Sequence, residues 1–146
     1  MPNLMGSYSP NDVSVIVNGV PITGFADGSF VQASFDTEAA TMTEGADGFA
    51  AVAMKKGNRK MTVALSLMQT SMANNVLQAL LAAQQAAAFA GNYPSVVILN
   101  AQGGELVQIP RAIIGKEPDI TYSGEIESRE WKFIGQGRTE TLGYGV

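Results

Sequence analysis

The reading of the fold turns on the stretch Arg59-Lys-Met-Thr-Val-Ala-Leu-Ser-Leu67. Met61, Val63, Leu65 and Leu67 alternate with Thr62, Ala64 and Ser66, the period of two that marks a β-strand with one buried and one solvated face. Residues 49–55 read as its hairpin partner, with a tip at Lys55-Lys-Gly-Asn-Arg-Lys60. The same period recurs upstream. In residues 12–18, Val13, Val15 and Val17 share a face; Gly19-Val-Pro21 punctuates the strand, and residues 21–25 form a short return. Ala26-Asp-Gly28 supplies turn chemistry. Residues 29–35 then set Val31, Ala33 and Phe35 against Phe30, Gln32 and Ser34.

Residues 36–48 break the alternation. They hold Asp36, Glu38, Glu44 and Asp47, two glycines and no cation, and read as a long acidic loop. Loops of that length inside a domain are either functional or mobile. One helix is expected at about residues 72–90, capped by Thr70 or Ser71 and closed at Gly91. Its stripe is Val76, Leu77, Leu80 and Leu81 followed by alanines, and it carries no charge. Residues 95–99 and 106–114 read as strands joined by Asn100-Ala-Gln-Gly-Gly104, with Pro110 calling for an edge or a bulge. A last strand spans residues 120–134. Trp131 and Phe133 fall out of phase with Tyr122 and Ile126 there, so either a bulge at residues 128–130 or two strand ends packed into different environments is expected. Residues 1–11 form an irregular leader and residues 135–146 an extended C-terminal arm. Together these describe one mainly β domain over residues 1–146, a sandwich or partial barrel with one flanking helix.

Composition narrows the function. The 146 residues are 46% hydrophobic but only 15% charged, against the ~25% of an average soluble domain. Much of the surface is therefore uncharged, which suits burial against copies of the same chain. With no histidine and no cysteine, imidazole and thiolate metal sites, disulfides and His-based nucleophilic catalysis all fall away. The net charge of -4 disfavours binding to a phosphate backbone. The start of the sequence has no signal-peptide pattern. The apolar run of residues 86–90 falls far short of the ~20 residues that cross a bilayer. A soluble, cytosolic setting is expected, with no membrane partner.

Each cluster of reactive side chains has a plainer reading beside the chemical one. Glu125 and Glu127 share a strand face and could pair for acid–base work, but alternating surface charges near Arg129 and Lys132 produce the same pattern. The acids of residues 36–48 lack the spacing of a calcium loop. Neither Gly135-Gln-Gly137 nor Gly103-Gly104 precedes a helix as a phosphate cradle must. Lys55, Lys56, Arg59 and Lys60 concentrate four of the nine cations in a solvated tip without aromatic residues for base stacking. That basic tip and the acidic loop are suited to pair between neighbouring copies. No catalytic residue, metal site or cofactor is assigned.

Several segments in order carry a resemblance: Ser9-Pro-Asn-Asp-Val13, Val17-Asn-Gly-Val-Pro-Ile22, Gly24-Phe-Ala-Asp-Gly28, Glu44-Gly-Ala-Asp-Gly48, Leu67-Met-Gln-Thr-Ser71 with Asn74, Asn75 and Leu77, and Arg129-Glu-Trp131. The set resembles the tail tube proteins of contractile-tailed, myovirus-like bacteriophages, whose fold is similar to the type VI secretion tube protein. That resemblance implies a non-enzymatic virion protein of the tail, assembled in the host cytoplasm as stacked hexameric rings. Strands join across subunits into a tube barrel through which phage DNA passes without specific binding. It also implies a sheath protein, a baseplate tube initiator and a tail terminator as partners. Carried onto this chain, ring contacts fall at Asp36, Glu38, Glu44, Asp47, Lys55, Lys56, Arg59, Lys60 and Arg138. Gln32, Ser34, Thr62 and Ser66 are the expected lumen-facing residues. Two rival readings are a tube subunit of a tailocin or other contractile injection device, and a monomeric β-barrel for a small ligand.

Overall fold

Alternation along the chain becomes ten strands in the computed structural model, which describes residues 10–36, 38–54, 59–87, 91–101 and 104–141. A 3-10 turn, Pro10–Asp12, leads into β1 (Val13–Val17), β2 (Val20–Ile22) and β3 (Val31–Phe35). Next come β4 (Ala40–Glu44), β5 (Ala50–Met54) and β6 (Arg59–Met68), followed by α1 (Ala73–Ala87). The chain closes with β7 (Val96–Asn100), β8 (Glu105–Ile109), β9 (Ala112–Lys116) and β10 (Ser128–Thr141). Eight strands make one antiparallel sheet in the order β2-β1-β7-β8-β10-β6-β3, with β9 also on β10. Among the described residues, β4 and β5 pair only with each other.

β10 is the strand on which the sheet curls. One edge pairs with β6 from Ser128↔Met68 to Gly137↔Arg59. The other edge takes β9 at residues 132–135 and then β8 at residues 138–141. Two glycines permit that change of partner. A Cβ on Gly135 would lie 2.5 Å from the Arg111 carbonyl oxygen, and one on Gly137 would lie 2.6 Å from that of Gln108. Inside the curl, Val15, Val17, Met61, Val63, Leu65, Leu67, Trp131 and Phe133 form one continuous core with Leu77 of α1. Among the described residues no polar or charged side chain is buried there. The result is a mainly β half-barrel with one flanking helix.

Helix and sheet are tied by specific hydrogen bonds. The Ser71 hydroxyl accepts from the Ala73 N–H at 3.2 Å and donates to the Thr23 carbonyl at 2.6 Å. Trp131 Nε1–H donates to Asn74 Oδ1 at 3.0 Å, which satisfies the one polar atom of the buried indole. Gln84 acts as a substitute strand residue. Its Nε2 donates to the Ile114 carbonyl at 3.0 Å and its Oε1 accepts from the Ile114 N–H at 2.8 Å, covering the outer edge of β9.

The structure departs from the sequence reading in five places. β5 does not pair with β6: it turns back onto β4, because β3 and β10 occupy both edges of β6. Residues 36–48 therefore contain a strand, not only a loop. Asn18 and Gly19, with φ of 53° and 78°, make the first turn, so the return strand begins at Val20 and ends at Ile22. The expected strand at 106–114 breaks at Pro110-Arg111 into β8 and β9. Residues 120–127 are not in β10, which removes the need for a bulge at 128–130. Most of the expected C-terminal arm, residues 135–141, is the second half of β10. The ends of the expected helix and arm, residues 88–90 and 142–146, lie outside the described residues, as do residues 1–9 of the leader.

Candidate assembly surfaces

The β4–β5 hairpin is an arm whose ten strand residues are all exposed. Its turn is set by Glu44-Gly-Ala-Asp-Gly48: Gly45 N–H donates to the Phe49 carbonyl at 2.6 Å, and Gly48 takes a φ of 89°. Asp47 Oδ1 accepts from the Phe49 N–H at 3.3 Å. The register Ala40↔Met54, Met42↔Val52 and Glu44↔Ala50 gives the arm one face that is apolar up to Glu44 at the tip and one face of threonines and alanines. Phe49 at the tip is 78% exposed and Met54 80%. A lone two-stranded hairpin is at best marginally stable in water, and this one leaves its apolar face open.

At the neck of the arm, Asp36 N–H donates to the Lys60 carbonyl at 2.9 Å. The Thr62 hydroxyl reaches both Asp36 carboxylate oxygens, at 3.1 and 2.9 Å. Lys60 Nζ stands 3.8 Å from Asp36, and the Arg59 guanidinium lies 3.9 Å over the Phe35 ring. Six of the nine ring-contact candidates have thus separated into two places. Asp36, Arg59 and Lys60 lie at the neck within one chain, with Glu38 just ahead of β4, while Glu44 and Asp47 stand at the tip. Arg138 pairs with Glu140 at 2.8 Å. Lys55 and Lys56 lie outside the described residues.

Gln32, Ser34, Thr62 and Ser66 lie together on the sheet face opposite the core, as the pairs Ser34↔Thr62, Gln32↔Ala64 and Glu130↔Ser66 require. Glu130 and Lys132 extend this polar face, 3.6 Å apart. Farther along β10 the face becomes apolar, where Ile134 stands opposite Ile113. Glu125 and Glu127 are not on a strand at all. Glu127 accepts from Ser123 Oγ at 2.7 Å, and Lys132 is engaged by Glu130. A groove of about 530 Å³ between α1 and residues 117–131 is lined largely by the amides of Gln69, Asn74, Asn75, Gln78 and Gln85.

Residues 5–143 match the family described as bacteriophage PhiTE tail tube protein. The chain belongs to this tail tube family. A similar solved structure is the anti-feeding prophage cap, a tube-terminating cap: TM-score 0.55, 11% identity, with 96% of each chain covered. A chain of the PVC sheath–tube complex, an extracellular contractile injection system in the extended state, aligns at TM-score 0.55 and 10% identity. That alignment covers 89% of this chain and 88% of the other. A chain of the PVC sheath/tube terminator aligns at TM-score 0.54 and 12% identity over 94% and 99%. No curated protein matches the sequence. The family is one of structural tail tube proteins, so this tail tube protein is not an enzyme.

Sequence reasoning missed the amphipathic arm of the tail tube protein and the apolar end of its outer face. The arm's turn was legible in Asp47-Gly48. Its strand pairing was not, because the alternating residues of β4 and β5 are mostly alanine and threonine.

Proposed function

We propose that this tail tube protein assembles into hexameric rings that stack as the inner tube of a contractile phage tail, the conduit for genome ejection. The exposed apolar face of the β4–β5 arm carries this reading. A contact between the arm of one copy and a different surface of the next is heterologous, and heterologous contacts close into rings or extend as filaments. Closure also removes the open edges at β2 and β3, which invite uncontrolled strand pairing in a lone sheet. In this assembly the polar face bearing Gln32, Ser34, Thr62 and Ser66 lines the lumen. The sheath contacts the outside, a baseplate initiator starts the stack, and a terminator ends it. The virion tail is its location after assembly in the host cytoplasm.

A second reading is a tube subunit of a tailocin or other contractile injection device. It draws on the fold shared with the extracellular injection systems. Gene neighbourhood separates the two, because the tube is the same part in both. Assembly itself is tested by negative-stain electron microscopy with light scattering over a concentration series. Rings or stacked tubes are expected, whereas a monomer at every concentration, with and without baseplate components, contradicts the proposal.

A further inference from the structure

Where the outer face turns apolar, Ile113 and Ile134 form the floor of a shallow groove of about 380 Å³, with Tyr93 and Gln136 alongside and Lys60 and Arg111 at its rim. Among the described residues no carboxylate lines it directly. Ile113 is 40% exposed and Tyr93 39%, so apolar surface is open to water beside Arg111, while Lys60 stands 3.8 Å from Asp36 of its own chain. The arm is its chemical counterpart. Residues 38–54 hold Glu38, Glu44 and Asp47, contain no lysine or arginine, and present Met42, Val52 and Phe49 to solvent. We propose that the apolar face of the arm of one copy seats in the Ile113–Ile134 groove of a second copy, with Arg111 facing the arm's carboxylates. This inference rests on the ring-and-stack reading and names the surface that receives the arm.

The other large exposed apolar patch does not fit the arm. Ile120, Tyr122 and Ile126 are more exposed than Ile113, but four acids, Glu117, Asp119, Glu125 and Glu127, flank them in sequence against two cations, Lys116 and Arg129, the latter 5.5 Å over the Tyr122 ring. Carboxylates on both partners would repel, and like charges across an interface exclude a partner more firmly than opposite charges recruit one. The groove combines opposite charge with an apolar floor, a composition that sets both orientation and affinity.

The natural absence of cysteine makes the test direct. Full-length Val52→Cys and Ile113→Cys chains, mixed at assembling concentration, are expected to form disulfide-linked dimers between the two variants. Val52→Cys mixed with Ile126→Cys is expected to give at least tenfold less. Charge supplies a second readout. Arg111→Glu is expected to raise the concentration needed for assembly about tenfold, and Asp47→Lys on the same chain to restore it, a rescue that a folding defect would not show. Wild-type tubes with no Val52–Ile113 linkage, or with linkage to Ile126 instead, overturn the groove assignment alone. A wild-type chain that never assembles overturns the stacked-ring reading and this assignment together.

Discussion

Asn74 illustrates how single polar side chains hold this half-barrel together. Its Oδ1 accepts the only hydrogen bond available to the indole of Trp131, which is 2% exposed, and its amide nitrogen donates to the carbonyls of Met68 and Ser71 at 2.9 and 3.2 Å. Asn74→Ala leaves a buried N–H without a partner. It is expected to lower unfolding free energy by about 1–3 kcal/mol in urea titration. An unchanged midpoint would mean that water replaces the amide. The Trp131 side chain itself was legible as core once its parity with Phe133 was seen. Its partner was not: Asn74 is 57 positions away, and nothing local to either residue announces the bond.

At the scale of elements, the arm and the strands at its base behave as separate units. β6 is anchored on both edges and sends Met61, Val63, Leu65 and Leu67 inward, so its alternation was readable from sequence alone. β5 has no such demand. It follows a turn signal at Asp47-Gly48 and precedes another at Gly57-Asn58, and tertiary competition for β6 decided between them. Residues 120–126 show the opposite error, an apolar alternation with no partner strand and side chains left exposed. Because β3 and β6 already pair up to Phe35↔Met61, the arm can be removed at its neck. Replacing residues 38–58 by an Asn-Gly turn is expected to leave a folded chain, with thermal unfolding still cooperative, that forms no tubes under the electron microscope. Tubes of normal length from that variant would remove the arm from the assembly contact.

For the whole molecule, composition and architecture point the same way. Charged residues are scarce, α1 carries none, and the sheet has open edges, a combination that a crowd of identical neighbours would cover. The polar outer face holds its charges in close pairs, Lys60 with Asp36 and Lys132 with Glu130, and so presents little net attraction to a phosphate backbone. Adding unpaired cations there should change that. Phage carrying Thr62→Lys and Ser66→Lys are expected to assemble tails but release DNA more slowly, most clearly at low salt, where Coulombic attraction is least screened. Release at the wild-type rate would argue that this face does not line the channel.

The most direct test of the account is a helical cryo-electron microscopy reconstruction of the assembled tube. It should show hexameric rings, Gln32, Ser34, Thr62 and Ser66 on the lumen wall, and the β4–β5 arm of each subunit seated on another copy. A tube whose wall buries that polar face while the arm projects free into solvent would contradict it.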